Sequence, residues 1–341
     1  MILAGEIGAD ECLLATFADQ GDLKPLAKQK FVYDSEKKYS CLEEVVRDFL
    51  GQTKLEEPIY GACFGIAGPV IEGCCKMPNR GWEITVENLQ ELLGCLAVDL
   101  LNDMPAMGKA IPTFSEKELI DLNPKASPKS GNRALMLATG KGLGELLLYY
   151  YCDEHLPSLS EGGHANFAPS NALEDEFLSY FRKNLKHVSG ERVLSWAGLV
   201  KIYEFLRDTR RGKESTALKK RLSQEQLHHV ITELALANAK KDDLCTQTLD
   251  LFVSIYGAMA GDIALRNFAV NGVYISGSIA LDIKDKLLNE GKPFEGIFMK
   301  AFRDKEGQFA EQNANTPVKL ILNQEAVLRG AAQHARELVG S

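Results

Sequence analysis

The sequence predicts an α/β protein, and three features of the chain support that prediction. An apolar run of strand length lies at 97–104 and ends on polar side chains, as buried strands in such sheets do. A pattern of strand, glycine-containing turn and strand occurs near residue 5 and again near residue 140, which suggests a duplicated architecture. Residues 173–206 and 222–270 carry apolar side chains near every third or fourth position, the spacing of amphipathic helices.

Length and composition indicate about two domains with ordinary cores. The chain has 341 residues, of which 45% are hydrophobic and 25% charged. Its formal net charge of -8 argues against a nucleic-acid surface, for which a concentrated basic face would be expected. The composition therefore favours small-molecule chemistry.

The cysteines and the hydropathy pattern predict a cytoplasmic protein. Eight cysteines are scattered without paired Cys-x-x-Cys spacing, which is typical of reduced, mostly buried thiols. The adjacent pair Cys74 and Cys75 lacks a companion pair, so no protein-bound metal is predicted. We expect neither a signal peptide nor a membrane span, because Met1–Ala4 leads straight into a glycine turn and no apolar run approaches about 20 residues.

The first half of the chain reads as alternating strands and helices. Short apolar runs at 2–4 and 12–17 flank Gly5–Glu11 and predict a β-hairpin, whereas a P-loop or Rossmann turn would lead into a helix. A strand at 59–67 and a helix at 86–93 then precede the strand that begins at Ala97.

The end of that strand allows two interpretations. The carboxyl ends of strands in α/β sheets bind ligands, and Asn102 beside Asp103 could hold a hydroxyl and take its proton. Both residue types are also favoured at helix N-caps, and Pro105 suits the first turn of a helix. The stretch alone leaves both interpretations open.

The second half begins with a predicted surface excursion at 115–131, where proline and lysine are frequent. The sheet resumes with runs at 133–139 and 146–152 on either side of the turn Gly140–Gly144. After the helical region come two late strands and a closing helix. These are predicted at 272–276, 317–322 and 325–339.

Three motifs occur in an order that resembles the bacterial glucokinase family, a group of actin-like, ribonuclease-H-like sugar kinases. They are Asn102-Asp103, the segment 160–169 (SEGGHANFAP) and the segment 188–195 (VSGERVLS). Shorter matches extend the resemblance over nearly the full length of the chain. These are Met77-Pro78-Asn79 with Trp82, Gly140–Gly144, Gly272–Ile279 and Leu328–Ala331.

The resemblance implies a two-domain actin-like ATPase fold with the substrate in an interdomain cleft. The expected smaller domain comprises 1–112 plus 323–341, and the larger comprises 113–322. The resemblance also implies ATP-dependent phosphorylation of glucose at its 6-hydroxyl, with Mg²⁺ arriving on the ATP phosphates. A homodimer is a further possibility.

The resemblance gives each motif a role. Asp103 is implied to be the general base that removes the proton from the 6-hydroxyl as this oxygen attacks the γ-phosphate. Five other positions are implied to hold sugar hydroxyls, for which carboxylates, amides and imidazole are suitable partners. They are Asn79, Asn102, Glu161, His164 and Glu191. Each of these also has a structural interpretation, such as a helix cap or a surface ion pair.

The implied nucleotide site departs from the family pattern. The first phosphate turn of the family reads Gly-Asp-x-Gly-Gly-Thr-Asn, where this chain has Glu6, Ala9 and Asp10, and the Arg expected shortly afterwards is replaced by Leu13. These changes make an anion site more anionic, which should repel ATP. The positions implied to contact the nucleotide are Gly5, Glu6, Gly8, Asp10, Gly140, Lys141, Gly142 and Gly277.

Lys141 stands where the family has a neutral threonine, and two hypotheses follow. In the first, Lys141 binds phosphate and partly offsets Asp10, which leaves a slower kinase. In the second, Lys141 pairs with Asp10 or Glu11 and fills the phosphate site, which leaves a sugar-binding pseudokinase or regulatory protein.

Overall fold

The computed structural model describes residues 1–33, 39–53, 57–77, 80–183, 185–212, 214, 216–237 and 244–340, without the side chains of 216 and 217. Asn79, one of the predicted sugar contacts, lies outside the described residues. The chain divides into two compact units, Met1–Lys117 with Asn323–Ser341, and Glu118–Leu322.

The described strands are between two and nine residues long. In chain order they are β1 (Ile2–Ile7), β2 (Glu11–Phe17), β3 (Ala27–Val32), β4 (Gly61–Ile66), β5 (Val70–Ile71), β6 (Cys74–Met77), β7 (Trp82–Thr85), β8 (Ala97–Asn102), β9 (Leu119–Asp121), β10 (Arg133–Ala138), β11 (Leu143–Tyr151), β12 (Glu154–Ser158), β13 (Gly272–Ser276) and β14 (Val318–Ile321).

The helices lie mainly in the second half of the chain. In chain order they are α1 (Leu42–Gln52), α2 (Val86–Leu93), α3 (Asp103–Ala110), α4 (Ala172–Arg182), α5 (Gly190–Val193), α6 (Trp196–Asp208), α7 (Thr216–Leu222), α8 (Leu227–Ala237), α9 (Leu244–Arg266), α10 (Ser278–Asp282), α11 (Lys284–Leu288), α12 (Ile297–Arg303), α13 (Gln308–Ala314) and α14 (Ala326–Gly340).

Each unit contains a sheet built on the same plan. In the first unit the order is β3-β2-β1-β4-β8, with β1–β3 antiparallel and β1, β4 and β8 parallel. In the second unit the order is β12-β11-β10-β13-β14, again with three antiparallel strands followed by two parallel additions. When these five strands are numbered in chain order, each sheet reads 3-2-1-4-5, which agrees with the predicted duplication; the sixth strand of the second sheet is β9.

The two units have separate hydrophobic cores. In the first unit, buried side chains of β1, β2 and β4 such as Leu14 and Phe64 pack with Phe49 of α1, and the other side of the sheet contacts α14. In the second unit, α9 is the central helix and packs against α6, α8 and α12. By length and composition α9 could cross a membrane, but 72% of its apolar window is buried inside the protein. It is the core helix of this unit.

One predicted loop is wrong in part. Within the expected surface excursion at 115–131, Leu119–Asp121 form β9, an additional edge strand paired antiparallel with β14. Leu122 and Asn123 are fully buried, and the Asn123 amide donates to the Thr316 carbonyl at 2.7 Å. The apolar residues of 119–122 supply a strand too short to stand out beside the prolines and lysines that follow.

Candidate functional site

The first unit places a glycine turn and Asp103 at the same edge of its sheet. The parallel registers align Ile7 with Ile66 and Ile66 with Asn102, so the ends of β1, β4 and β8 lie side by side. The turn after Ile7 and the residue after Asn102 therefore project from the carboxyl edge, where α/β sheets bind ligands. This arrangement follows from strand pairing alone.

Asn102 is the N-cap of α3, as one of the two sequence interpretations predicted. Its Oδ1 accepts the Met104 N–H at 3.1 Å, and its Nδ2 donates to the Gly68 carbonyl at 3.0 Å. The Asp103 carboxylate also accepts the Met104 N–H, at 2.8 Å. These contacts fix both side chains, while an amide and a carboxylate retain further donors and acceptors for a ligand.

The turn itself is a tight hairpin connection. The Gly8 N–H donates to the Glu11 carbonyl at 2.9 Å, which closes the turn between β1 and β2. Gly5 lies inside β1, where a β-carbon would come within 2.5 Å of the Phe64 ring. The glycine at position 5 is therefore required by packing, whereas Gly8 and Asp10 belong to the turn.

Glu6, at the same edge of the sheet, has a raised pKa. Burial raises the pKa of Glu6, the backbone N–H of Leu328 lowers it, and nearby Asp103, Glu325 and Glu11 raise it, so that the net result is a pKa of about 7. A neutral Glu6 weakens the repulsion that the sequence predicts at an anion site.

Replacing Glu6 with glutamine is expected to remove part of the pH dependence of stability. The folded protein holds this carboxyl protonated up to about pH 7, whereas an unfolded glutamate ionises near 4.5, so folding takes up a proton between these values. The free energy of unfolding therefore falls as pH rises through this window, by about 2–3 kcal/mol. Denaturant unfolding at pH 5 and pH 8 should show a smaller difference for Glu6→Gln than for the wild type.

The control is Glu91→Gln, at an exposed position of α2 in the same unit. It should keep the wild-type pH dependence. An unchanged dependence in Glu6→Gln would contradict the assignment of the shifted carboxyl.

The second unit brings together three of the predicted sugar contacts. His164 lies with its Nε2 3.9 Å from Glu161 and its Nδ1 3.8 Å from Glu191. An isolated bridge between Asn166 and Ser189, with the Gly190 N–H donating to the Ala165 carbonyl at 3.0 Å, ties the two segments together. Two motifs that are separated along the chain, 160–169 and 188–195, thus form one polar cluster.

The cluster is open enough to receive a ligand. The side chain of Glu161 is 90% exposed, that of His164 60% and that of Glu191 27%. Glu191 is the most constrained, because its Oε2 accepts the Leu143 N–H at 3.3 Å. Three side chains that can accept or donate hydrogen bonds suit a polyhydroxylated molecule.

A cavity of about 580 Å³ adjoins this cluster, and His164, Glu191 and Lys141 line it. Its volume is in the range of small-molecule sites. Sequence reasoning missed three basic side chains of the same cavity: His187, Arg192 and Lys201. Arg192 was within a quoted motif, but nothing in the spacing indicated that Lys201 of α6 would reach the same cavity.

The second glycine turn is shaped by its neighbours. The Thr139 hydroxyl accepts the Gly142 N–H at 2.9 Å, and a β-carbon at Gly140 would lie 2.4 Å from the Trp196 indole. Gly277 begins α10 from φ +103°, and a β-carbon there would come 2.1 Å from the Ala138 carbonyl oxygen. Only glycine allows the end of β13 to lie this close to the end of β10.

Gly277→Ala is therefore expected to lower the free energy of unfolding by about 2–4 kcal/mol, from backbone strain and the clash together. The matched control is Gly291→Ala, which has φ +81° but no atom within 4 Å of the new β-carbon. It should cost about 1 kcal/mol. Thermal unfolding measures both, and equal losses would contradict the role assigned to the Ala138 contact.

The acidic residues of the first turn have cationic neighbours within their own unit. The Glu11 carboxylate lies 2.7 Å from the Lys30 ammonium, and the Asp10 carboxylate lies 3.9 Å from the Arg80 guanidinium. Sequence reasoning anticipated neither contact, although Arg80 directly follows the quoted Met-Pro-Asn motif. These charges offset part of the negative potential predicted for the turn.

Each unit contains five strands in the order 3-2-1-4-5, with a glycine turn between the first strand and the second. Two such sheets in one chain are typical of the actin-like class of sugar kinases and related ATPases. Comparison with known proteins then identifies the family. The family model described as Glucokinase matches residues 3–338, and the chain belongs to that family of ATP-dependent sugar kinases, which are transferases.

Individual proteins agree with this assignment. A glucokinase of Nostoc punctiforme is 33% identical over 353 residues, covering 99% of each chain. The crystal structure of a glucokinase from an Antarctic psychrotroph is 25% identical, with a TM-score of 0.81 and 98% of each chain covered. A Streptomyces griseus ROK family glucokinase, solved with glucose and AMPPNP, shares the fold with a TM-score of 0.60 at 16% identity, covering 98% of this chain and 99% of that one. The predicted actin-like fold and the resemblance to glucokinases are confirmed.

Proposed function

We propose that this protein transfers the γ-phosphoryl group of ATP to the 6-hydroxyl of glucose, giving glucose 6-phosphate. The observation that carries the proposal is the position of Asp103. In a chain of the glucokinase family, this carboxylate stands directly after β8, at the sheet edge that also bears the first glycine turn.

Asp103 is proposed to accept the proton of the attacking hydroxyl. Phosphoryl transfer needs mainly positioning, charge stabilisation and an acceptor for that proton. Asn102 is held by its cap contacts and is proposed to hold a sugar hydroxyl beside Asp103. The hydrogen bond from the Met104 N–H keeps the carboxylate from rotating away.

Glu161, His164 and Glu191 are proposed to bind sugar hydroxyls, and Asn79 is proposed to do the same. His164 lies 3.9 Å from Glu161 and 3.8 Å from Glu191, which is too far for a tight ion pair, so these three side chains can donate or accept toward the sugar. Specificity follows, because a sugar lacking the matching hydroxyl would leave these polar groups unpaired.

The nucleotide is proposed to contact the first glycine turn and the strand before it, the second glycine turn, and the start of α10. The positions are Gly5, Glu6, Gly8, Asp10, Gly140, Lys141, Gly142 and Gly277. We propose that Mg²⁺ arrives with ATP, where it would neutralise phosphate charge. Glu6 lies close enough to Asp103 for that carboxylate to raise the pKa of Glu6, and a carboxyl oxygen of Glu6 is the kind of donor that Mg²⁺ prefers. Among the residues that the structure describes, no group of three or more His, Cys, Asp or Glu side chains forms a metal cage.

The test is a coupled assay of glucose 6-phosphate formation with glucose and Mg-ATP, alongside calorimetric titration with glucose. Turnover that requires both substrates is expected. Glucose binding without product would instead establish the sugar-binding pseudokinase, which no observation on this chain favours. The same assay with mannose ranks hexose selectivity. A cytoplasmic location and a homodimer are part of the proposal, and gel filtration with light scattering tests the latter.

A further inference from the structure

Arg80 reaches the first glycine turn from a distant part of the chain. Its Nε donates to the Ala9 carbonyl at 2.8 Å, and a terminal nitrogen donates to the Tyr33 carbonyl at 3.3 Å. The same terminal nitrogen lies 3.9 Å from the Asp10 carboxylate. A residue between β6 and β7 thus contacts the backbone and the side chain of the turn between β1 and β2.

Packing fixes the direction of this guanidinium. Its carbon lies 4.7 Å from the centroid of the Tyr33 ring, which is buried and packs edge-to-face against Trp82 at 5.0 Å. The Tyr33 N–H in turn donates to the Asp10 carbonyl at 2.9 Å. Arg80, Tyr33 and the turn therefore form one braced unit.

The contact with Asp10 does not fully neutralise the positive charge of Arg80. The Asp10 side chain is 83% exposed, and an exposed pair at 3.9 Å is weak. The two carbonyl contacts use two of the five N–H donors of the guanidinium. The Arg80 guanidinium is a planar cation with further N–H donors, and it lies beside the turn that bears Asp10 and Glu11. Such a group suits a phosphate.

We propose that Arg80 is a positioning residue for the nucleotide, which clamps the Ala9 carbonyl and supplies the positive charge that lets an acidic turn accept ATP phosphates. This inference rests on the proposed function, because it assigns the turn at Gly8 to the nucleotide. It adds a residue, Arg80, and a reason why Asp10 is tolerated.

A double-mutant cycle with Asp10 tests the electrostatic part. Arg80→Gln is expected to weaken binding of Mg-AMPPNP, measured by calorimetry, about tenfold, while the dissociation constant of glucose stays within twofold. Arg80→Lys keeps the charge without the planar fork and should lose about threefold. Combining Arg80→Gln with Asp10→Asn should restore most of the affinity, because the uncompensated carboxylate is then removed.

The matched control is Lys76→Gln, an exposed lysine of β6 on the same hairpin whose neighbour is Glu83. It should leave Mg-AMPPNP affinity unchanged. Unaltered affinity in Arg80→Gln would overturn the inference. So would a loss that Asp10→Asn fails to restore and that accompanies a lower melting temperature, since Arg80 would then only stabilise the hairpin. If the wild type neither binds Mg-AMPPNP nor forms product, the proposed function itself is rejected. If the wild type does both, the proposed function stands, and the Arg80 variants alone test the role of Arg80.

Discussion

Asp103→Asn is expected to lower kcat by about 10²- to 10⁴-fold, the usual contribution of a positioned general base. The amide keeps the shape of the carboxylate and its contact with the Met104 N–H, so α3 should remain capped. What the variant loses is a group that can accept the proton of the 6-hydroxyl. Steady-state assays over a range of glucose and Mg-ATP concentrations measure the change.

Glucose binding separates a catalytic role from a structural one. Calorimetry should show that Asp103→Asn binds glucose within a few-fold of the wild-type affinity. Asp19→Asn, at an exposed position of the same unit, is the control and should retain full activity. A variant at Asp103 that turns over at the wild-type rate would discredit the proposed base.

Glu191→Gln is expected to raise the KM for glucose by about 10- to 100-fold, because the charge-assisted hydrogen bonds proposed between Glu191 and the sugar become neutral ones. Glu191 is the most buried of the three clustered side chains, and the Leu143 N–H holds it in place. Its effect should therefore exceed that of Glu161→Gln, whose side chain is 90% exposed. Initial rates at saturating Mg-ATP measure both.

The comparison variant for these two is Glu154→Gln, at an exposed position of β12 in the same unit. Its KM for glucose should equal that of the wild type. Equal KM values for Glu191→Gln and Glu154→Gln would remove Glu191 from the sugar site.

Local patterns were sufficient to predict most of the fold. The hairpin about Gly5–Glu11 and the one about Gly140–Gly144 were visible because each has a glycine turn between two apolar runs. Helix α2 was predicted with its observed bounds, and in the structure Thr85 caps its beginning and Gly94, in the left-handed conformation, ends it. Strand β9 escaped, because its pairing partner β14 lies about 200 residues away and three residues carry little periodic signal.

The candidate site was predictable where motifs resemble a family and not elsewhere. His164 and Glu191 could be named from the sequence, but their 3.8 Å approach depends on a bridge that no local pattern encodes. The contacts of Arg80 could not be predicted from local patterns either. The sequence suggested an uncompensated acidic turn, while the fold brings a guanidinium to it from about 70 residues away.

The burial of Glu6 was equally hidden. A glutamate in place of the family aspartate suggests only a longer carboxylate of the same charge, yet its burial and its acidic neighbours raise its pKa to about 7. The electrostatics of this edge therefore depend on tertiary contacts as much as on the formal charges of the sequence.

The proposal that Asp103 is the general base is tested by a crystal structure with glucose and AMPPNP bound. We expect the 6-hydroxyl of glucose to lie within about 3 Å of the Asp103 carboxylate. A bound glucose whose 6-hydroxyl lies beyond hydrogen-bond distance of that carboxylate would exclude Asp103 as the base.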